Sequence, residues 1–128
     1  MITQDPDYDI ASLKEFFVTA EDYDTDTILE ELLVQQKDGQ MFCLVGSDDA
    51  GIVGFIVGYV FHKSLWIDQS YHRKGTAFTE AKKGFEMAKN WAREKGLTSI
   101  TGETDRTNAK AMERFGFIEI AKIMKCNL

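Results

Sequence analysis

A chain of 128 residues with 44% hydrophobic residues is long enough for one packed core, so a single domain over residues 1–128 is expected. A formal net charge of −6 excludes a general nucleic-acid binder, which needs a broad basic surface. No basic tract precedes an apolar N-terminal run and no apolar stretch reaches membrane-span length, so a cytoplasmic chain with no membrane partner is expected.

In chain order, residues 1–8 offer a short first strand. Ile10, Leu13, Phe17 and Ala20 recur at helical steps and predict a first helix with Asp9 as its cap. An acidic run, Glu21, Asp22, Tyr23, Asp24, Thr25 and Asp26, separates it from a second helix starting near Thr27. There Thr27 and Glu30 have capping-box spacing, Ile28, Leu29, Leu32 and Leu33 form the apolar face, and Gly39 ends the helix.

Residues 41–45 read as a strand, 47–51 as a turn and 52–61 as the longest apolar strand. Residues 64–69 follow, with Leu65 and Ile67 alternating with Trp66 and Asp68. Only His62 and Lys63 intervene, so the three strands form an antiparallel meander. A long amphipathic helix over 76–95 carries Phe78, Ala81, Phe85, Ala88 and Ala92 on one stripe, flanked by Gly84 and Trp91, and Gly96 closes it. Residues 99–103 read as a strand, 109–115 as a short helix broken by Gly116, and 117–124 as a last strand. The strand–helix–strand run from 64 to 103 is a βαβ unit, so its two strands are expected to be parallel within a mixed sheet covered by helices. Cys43 and Cys126 are too few for a disulfide scaffold or a four-ligand zinc site, and no metal is expected. Both fall in apolar stretches and read as reduced core or strand residues.

Between the third meander strand and the long helix lie His72, Arg73, Lys74, Gly75, Thr76 and Ala77. A helix N-terminus leaves its first amides unpaired and carries about half a positive charge, which favours an anion. Gly75 and Ala77 let phosphate oxygens approach the backbone, and Arg73 or Lys74 can add charge. The plainer reading is an ordinary turn with solvated basic residues. The loop is neither a P-loop nor a dinucleotide fingerprint, because it lacks their glycine spacing.

The element order and this loop resemble the GNAT superfamily of acyl-CoA-dependent N-acetyltransferases. Its pyrophosphate loop, Gln/Arg-x-x-Gly-x-Gly/Ala, matches at His72, Gly75 and Ala77. The helix end Trp91-Ala92-Arg93-Glu94-Lys95-Gly96 is similar to the family's, and Glu113-Arg114-Phe115-Gly116-Phe117 resembles its Glu-Lys-x-Gly-Phe. The resemblance covers residues 40–128, and more loosely the N-terminal helices. It implies an α/β (α+β) fold with a mixed, mostly antiparallel sheet, helices on both faces and a central βαβ acyl-CoA-binding unit. It implies acetyl-CoA as cosubstrate. Backbone near Trp66 and Ile67 would pair with the pantetheine arm like an added strand. Amides of Arg73, Lys74, Gly75, Thr76 and Ala77 would hold the pyrophosphate, and the sheet would splay between strands 64–69 and 99–103. It implies, too, that dimers are common among such proteins, so a homodimer is an open expectation.

Three positions depart from the family pattern. His72 stands where Gln or Arg is usual. The family's cofactor-side asparagine falls on Asp105, with Asn108 one turn later as the substitute. The family's tyrosine acid falls on Met112, which cannot donate a proton to a departing thiolate. The general acid is therefore unassigned.

Acetyl transfer needs a neutral amine, a polarised thioester and a leaving thiolate. Glu103, at the strand end facing the expected splay, is the candidate base, set against a solvated strand-end charge. His62 is set in a hairpin turn, which favours a surface role over proton transfer. The acidic run at 21–26 suggests a cationic acceptor, either a small-molecule amine or a lysine side chain, set against a solvated interhelix loop. The function expected is transfer from acetyl-CoA to a primary amine by direct attack. The alternative is a degenerate acyl-CoA-binding or protein-interaction domain of the same fold, which Met112 favours.

Overall fold

Met41, Phe42, Cys43, Leu44 and Val45 are all buried, which makes strand β2 (Met41–Asp48) the middle layer of the molecule. Side chains alternate across a strand, so Met41, Cys43 and Val45 join one core and Phe42 and Leu44 another. The computed structural model describes residues 1–19, 24–102, 109–120 and 126–128. In it β2 belongs to a five-stranded sheet of order β1-β2-β3-β4-β5, with β1 at Ile2–Gln4, β3 at Gly51–Phe61, β4 at Ser64–His72 and β5 at Ser99–Gly102. Neighbours pair antiparallel except β4 and β5. Those two run parallel because helix α2 (Phe78–Glu94) carries the chain back across the sheet.

A 3₁₀ helix (Ile10–Phe16) and α1 (Thr25–Lys37) cover one face, burying Ile10, Leu13, Ile28 and Leu32 against Met41, Cys43, Val45, Phe55 and Val57. Helix α2 covers the other, with Ala88 and Ala92 against Phe42, Leu44 and Leu65. Leu13, Phe42 and Leu65 are fully buried, each stabilising the fold by about 1.5–3 kcal/mol. The fold is the mixed α/β arrangement expected, with helices on both faces. Among the described residues no helix is long and apolar enough to cross a membrane.

Four expectations need correction. The first helix is a 3₁₀ helix that ends at Phe16, where Phe17 turns extended with ψ 137°. Ile10 and Leu13 are three apart, which suits three residues per turn, and Asp9 caps the start by accepting from Ala11 N at 3.2 Å. Ala20 lies outside the described residues. Second, α1 is capped by Asp24, whose carboxylate accepts from Thr27 N at 2.8 Å, so Thr27 is inside the helix rather than at its cap.

Third, residues 117–120 form no strand, and Ile118 and Ile120 are 80% and 75% exposed. Alternating apolar residues make a strand only where a sheet edge receives them, and no described strand pairs with them. Residues 121–125 lie outside the described residues, and Cys126 is exposed rather than in a core. Fourth, the apolar stripe of α2 divides. Gly84, Ala88 and Ala92 face the sheet, while Phe78 and Phe85 meet Phe115 at 5.1 and 5.3 Å and so receive α3 (Ala109–Arg114).

Candidate active site

Strand β4 holds the site together because its two halves have different neighbours. From Ser64 to Ile67 it lies between β3 and β5, ending on the Ile67–Gly102 pair. From Asp68 to His72 it pairs with β3 alone among the described residues. Residues 103–108, which follow β5, lie outside the described residues, and the expected splay lies there with them. A β-bulge falls where the β5 pairing stops: Gly58 opposes Ile67 and Val57 opposes Gln69, leaving Asp68 as the extra residue. A Cβ on Gly58 would lie 2.4 Å from Trp66 O, so only glycine admits β4 this close.

The bulge corrects one expectation. Trp66 and Ile67 already have Thr101 and Gly102 beside them on β5, so their edge is covered. From Asp68 onward, β4 has no neighbour on that side among the described residues. That residue and Gln69 are what the sequence reading missed; a bulge has no signature in an alternating pattern. Asp68 Oδ2 is shielded from solvent at this point.

The loop from Arg73 to Ala77 joins this second half to α2, with His72 exposed at the end of β4. Arg73 N donates to Val53 O at 2.6 Å, and Thr76 N donates to Arg73 O at 3.0 Å. Thr76 Oγ1 donates to the same oxygen at 2.5 Å. Gly75 has φ 90°, in the left-handed region that favours glycine, and nothing stands within 4 Å of where its Cβ would be. Ala77 is the N-cap with no side-chain cap. The amides of Lys74, Gly75 and Ala77 and of the first helical residues Phe78 and Thr79 have no acceptor among the described residues. Two of the five expected loop amides, those of Arg73 and Thr76, are thus committed to the loop itself.

The charges divide similarly. Arg73 forms a two-nitrogen contact with Asp48, so its charge serves the β2–β3 hairpin rather than the loop's open face. That hydrogen bond, with one from the Ala50 amide, holds the Asp48 carboxyl below its ordinary range and raises Arg73 above its own. Lys74 is exposed and forms no ion pair among the described residues. Arg114 stacks over Phe78, the first residue of α2, at 4.0 Å, a cation at this helix start that the sequence reading left out.

Met112 lies beside the far end of β5: its Cε would be 3.8 Å from a Cβ on Gly102. His62 stands at the β3–β4 hairpin tip with φ 55°, exposed and against Phe61. In the acidic run, Asp24 caps α1 and Asp26 pairs with Lys14, so both have fold-level tasks. Glu103, Asp105, Asn108 and Asp22 lie outside the described residues.

Comparison with solved structures gives likenesses along the whole chain. A protein from Pyrococcus furiosus described as an acetyl transferase superposes with TM-score 0.77 at 19% identity, covering 100% of both chains. A predicted acetyltransferase with acetyl-CoA from Clostridium acetobutylicum gives 0.76 at 11%, covering 99% of this chain and 96% of that one. An aminoglycoside acetyltransferase from an uncultured soil metagenomic sample, in complex with sisomicin, gives 0.69 at 15%, covering 100% and 95%. No curated protein matches in sequence. The model of the acetyltransferase (GNAT) family matches residues 8–117, and the chain belongs to that family.

Proposed function

We propose that the protein, as a single domain over residues 1–128, is an N-acetyltransferase that moves an acetyl group from acetyl-CoA to a primary amine by direct attack. The observation that carries this is the continuity of two features. Among the described residues, the edge of β4 that has no neighbour from Asp68 onward leads straight into the amides without an acceptor at the start of α2. An extended amide-bearing arm suits the first, by strand addition, and a pyrophosphate suits the second. Gly75 leaves the space a phosphate needs, and Lys74 adds charge. The neighbour holding acetyl-CoA supports this assignment.

Acetyl-CoA, when bound, supplies the activated thioester. The residues of the chain position it and manage protons. The β4 edge orients the arm so that the thioester falls at the expected splay between β4 and β5. Glu103, next after β5 in sequence, takes the ammonium proton directly or through water. Asn108 would serve the cofactor side, as the family resemblance implies for an asparagine substitute. Met112 offers no proton, so the thiolate leaves without a side-chain acid from that position. The acceptor class we favour is a cationic amine, in line with the sisomicin-bound neighbour and the net charge of −6.

Thermal unfolding with acetyl-CoA, CoA and ATP titrated separately tests the cosubstrate. A ligand at about a hundred times its Kd stabilises by about 2.7 kcal/mol. That is about 3–6 °C for a domain of this size. A rise with acetyl-CoA and CoA but not ATP is expected, and no rise overturns the assignment. Thiol release from acetyl-CoA with sisomicin, spermidine and a lysine peptide then tests transfer. A second reading, a binding domain without turnover, is favoured by Met112 and would give the thermal shift with no thiol release from any amine.

A further inference from the structure

Strand β4 changes the facing of its side chains at the bulge. Ile67 packs in the core under α2, yet Gln69, two residues on, lies opposite Val57 in the core under the 3₁₀ helix. An unbroken strand puts such residues on one face; the inserted Asp68 reverses this. Gln69 is 7% exposed, the one buried polar side chain among the described residues. Its Oε1 accepts from Val18 N at 2.7 Å, and its Nε2 donates to Val18 O at 3.0 Å. The carboxamide thus makes the double contact a neighbouring strand would make. No carboxylate or apolar chain supplies both a donor and an acceptor.

Burying a carboxamide is unfavourable unless both ends are paired, so the contact is specific. It buries little of Val18, whose side chain remains 70% exposed. What it fixes is backbone: the chain that Phe17 has just released from the 3₁₀ helix into an extended course. That backbone is held against the half of β4 that pairs with β3 alone among the described residues.

We infer that Gln69 is a positioning residue that fixes residues 17–19 as one wall of the acceptor entrance, on the sheet face opposite α2. The inference rests on the acetyltransferase reading. The Gln69 backbone lies along the cofactor edge, while its side chain serves the acceptor side. Val18 then presents an exposed apolar side chain to the incoming amine.

Two variants of the full chain test this. Gln69→Met keeps length and removes both polar atoms; Val18→Pro removes the amide donor and leaves Gln69 intact. In hydrogen exchange, residues 14–19 are expected to exchange about tenfold faster in each variant, as loss of a buried hydrogen bond implies. The double variant should exchange no faster than the worse single one, because both remove one contact. In Val18→Pro, acetyl-CoA affinity by calorimetry should stay within about twofold. For the amine that turns over in the panel above, KM should rise about fivefold or more with kcat little changed, the mark of lost positioning in binding. Unchanged exchange at 14–19 in both variants overturns the inference, as does a loss confined to kcat. If Gln69→Met does not fold, Val18→Pro decides by the same readouts. Failure of acetyl-CoA to stabilise the unsubstituted protein overturns the cosubstrate reading instead, and the exchange result still decides whether the clamp exists.

Discussion

Arg73 presents two guanidinium nitrogens to the carboxylate of Asp48, tying the loop after β4 to the hairpin between β2 and β3. One of the two adjacent loop cations, Arg73 and Lys74, is therefore already engaged. Arg73→Ala should change acetyl-CoA affinity by less than about threefold, whereas Lys74→Ala should weaken it about fivefold, or about 1 kcal/mol. Isothermal titration at low and high salt measures both, and only the Lys74 contribution should fade with salt.

The same pair has a defined pH response. The Asp48 pKa is depressed in the folded state, chiefly by Arg73. Its stabilisation is fully present above the unfolded value of about 3.9 and is lost as pH falls through the lower folded value. Asp48→Asn should therefore lower stability near neutrality and flatten the acid limb, so that the two proteins converge at low pH. Thermal melts across the acid range check this.

Gly75→Ala and Gly58→Ala separate conformation from contact. At Gly75 the φ of 90° is the whole cost, since a Cβ there meets nothing. A left-handed alanine costs about 1–2 kcal/mol, and a shift of the loop should weaken acetyl-CoA binding as well. At Gly58 the φ is ordinary but a Cβ would strike Trp66 O at 2.4 Å. Overpacking of this kind costs about 1–3 kcal/mol. It also moves the bulge, so Gly58→Ala should lower the melting temperature and loosen residues 14–19 through Gln69.

Cys43 is fully buried in β2, and burial pushes its thiol up to about 12. A raised thiol pKa means the folded state keeps a proton that the unfolded state loses. Stability therefore falls as pH rises above the ordinary thiol value of 9.0 and on towards 12. Cys126 is exposed. Ellman's reagent should titrate one thiol in the native protein and both in denaturant.

Met112 and Glu103 test the chemistry. Glu103→Gln should lower kcat by about a hundredfold or more if it is the base, as loss of general-base catalysis implies. It should leave acetyl-CoA affinity unchanged. Met112→Tyr restores a proton donor beside the end of β5 and should raise kcat, with the gain confined to the limb where the phenol is protonated. A pH–rate profile measures both.

Much of this was legible in the sequence because local physics decided it. The meander follows from short turns between alternating apolar runs, and the parallel β4–β5 pair from the crossover helix. The loop at 72–77 stood out as a basic stretch with a glycine before a helix start, and the family resemblance gave it a role. What the sequence could not show is which groups are already engaged. Arg73, Asp24 and Asp26 all read as free charges, yet Asp48, the Thr27 amide and Lys14 take them. Those partners lie up to 25 positions away in sequence, as Asp48 does from Arg73.

Residue order alone thus determined the strand and helix succession, the family loop and the absence of a tyrosine at position 112. Tertiary structure alone decided which way the side chains of β4 face after Ile67. Strand register is set by pairing, and a single inserted residue at Asp68 shifts every later side chain to the other face. That shift turned Gln69 towards Val18, while β5 pairs with β4 as far as Ile67.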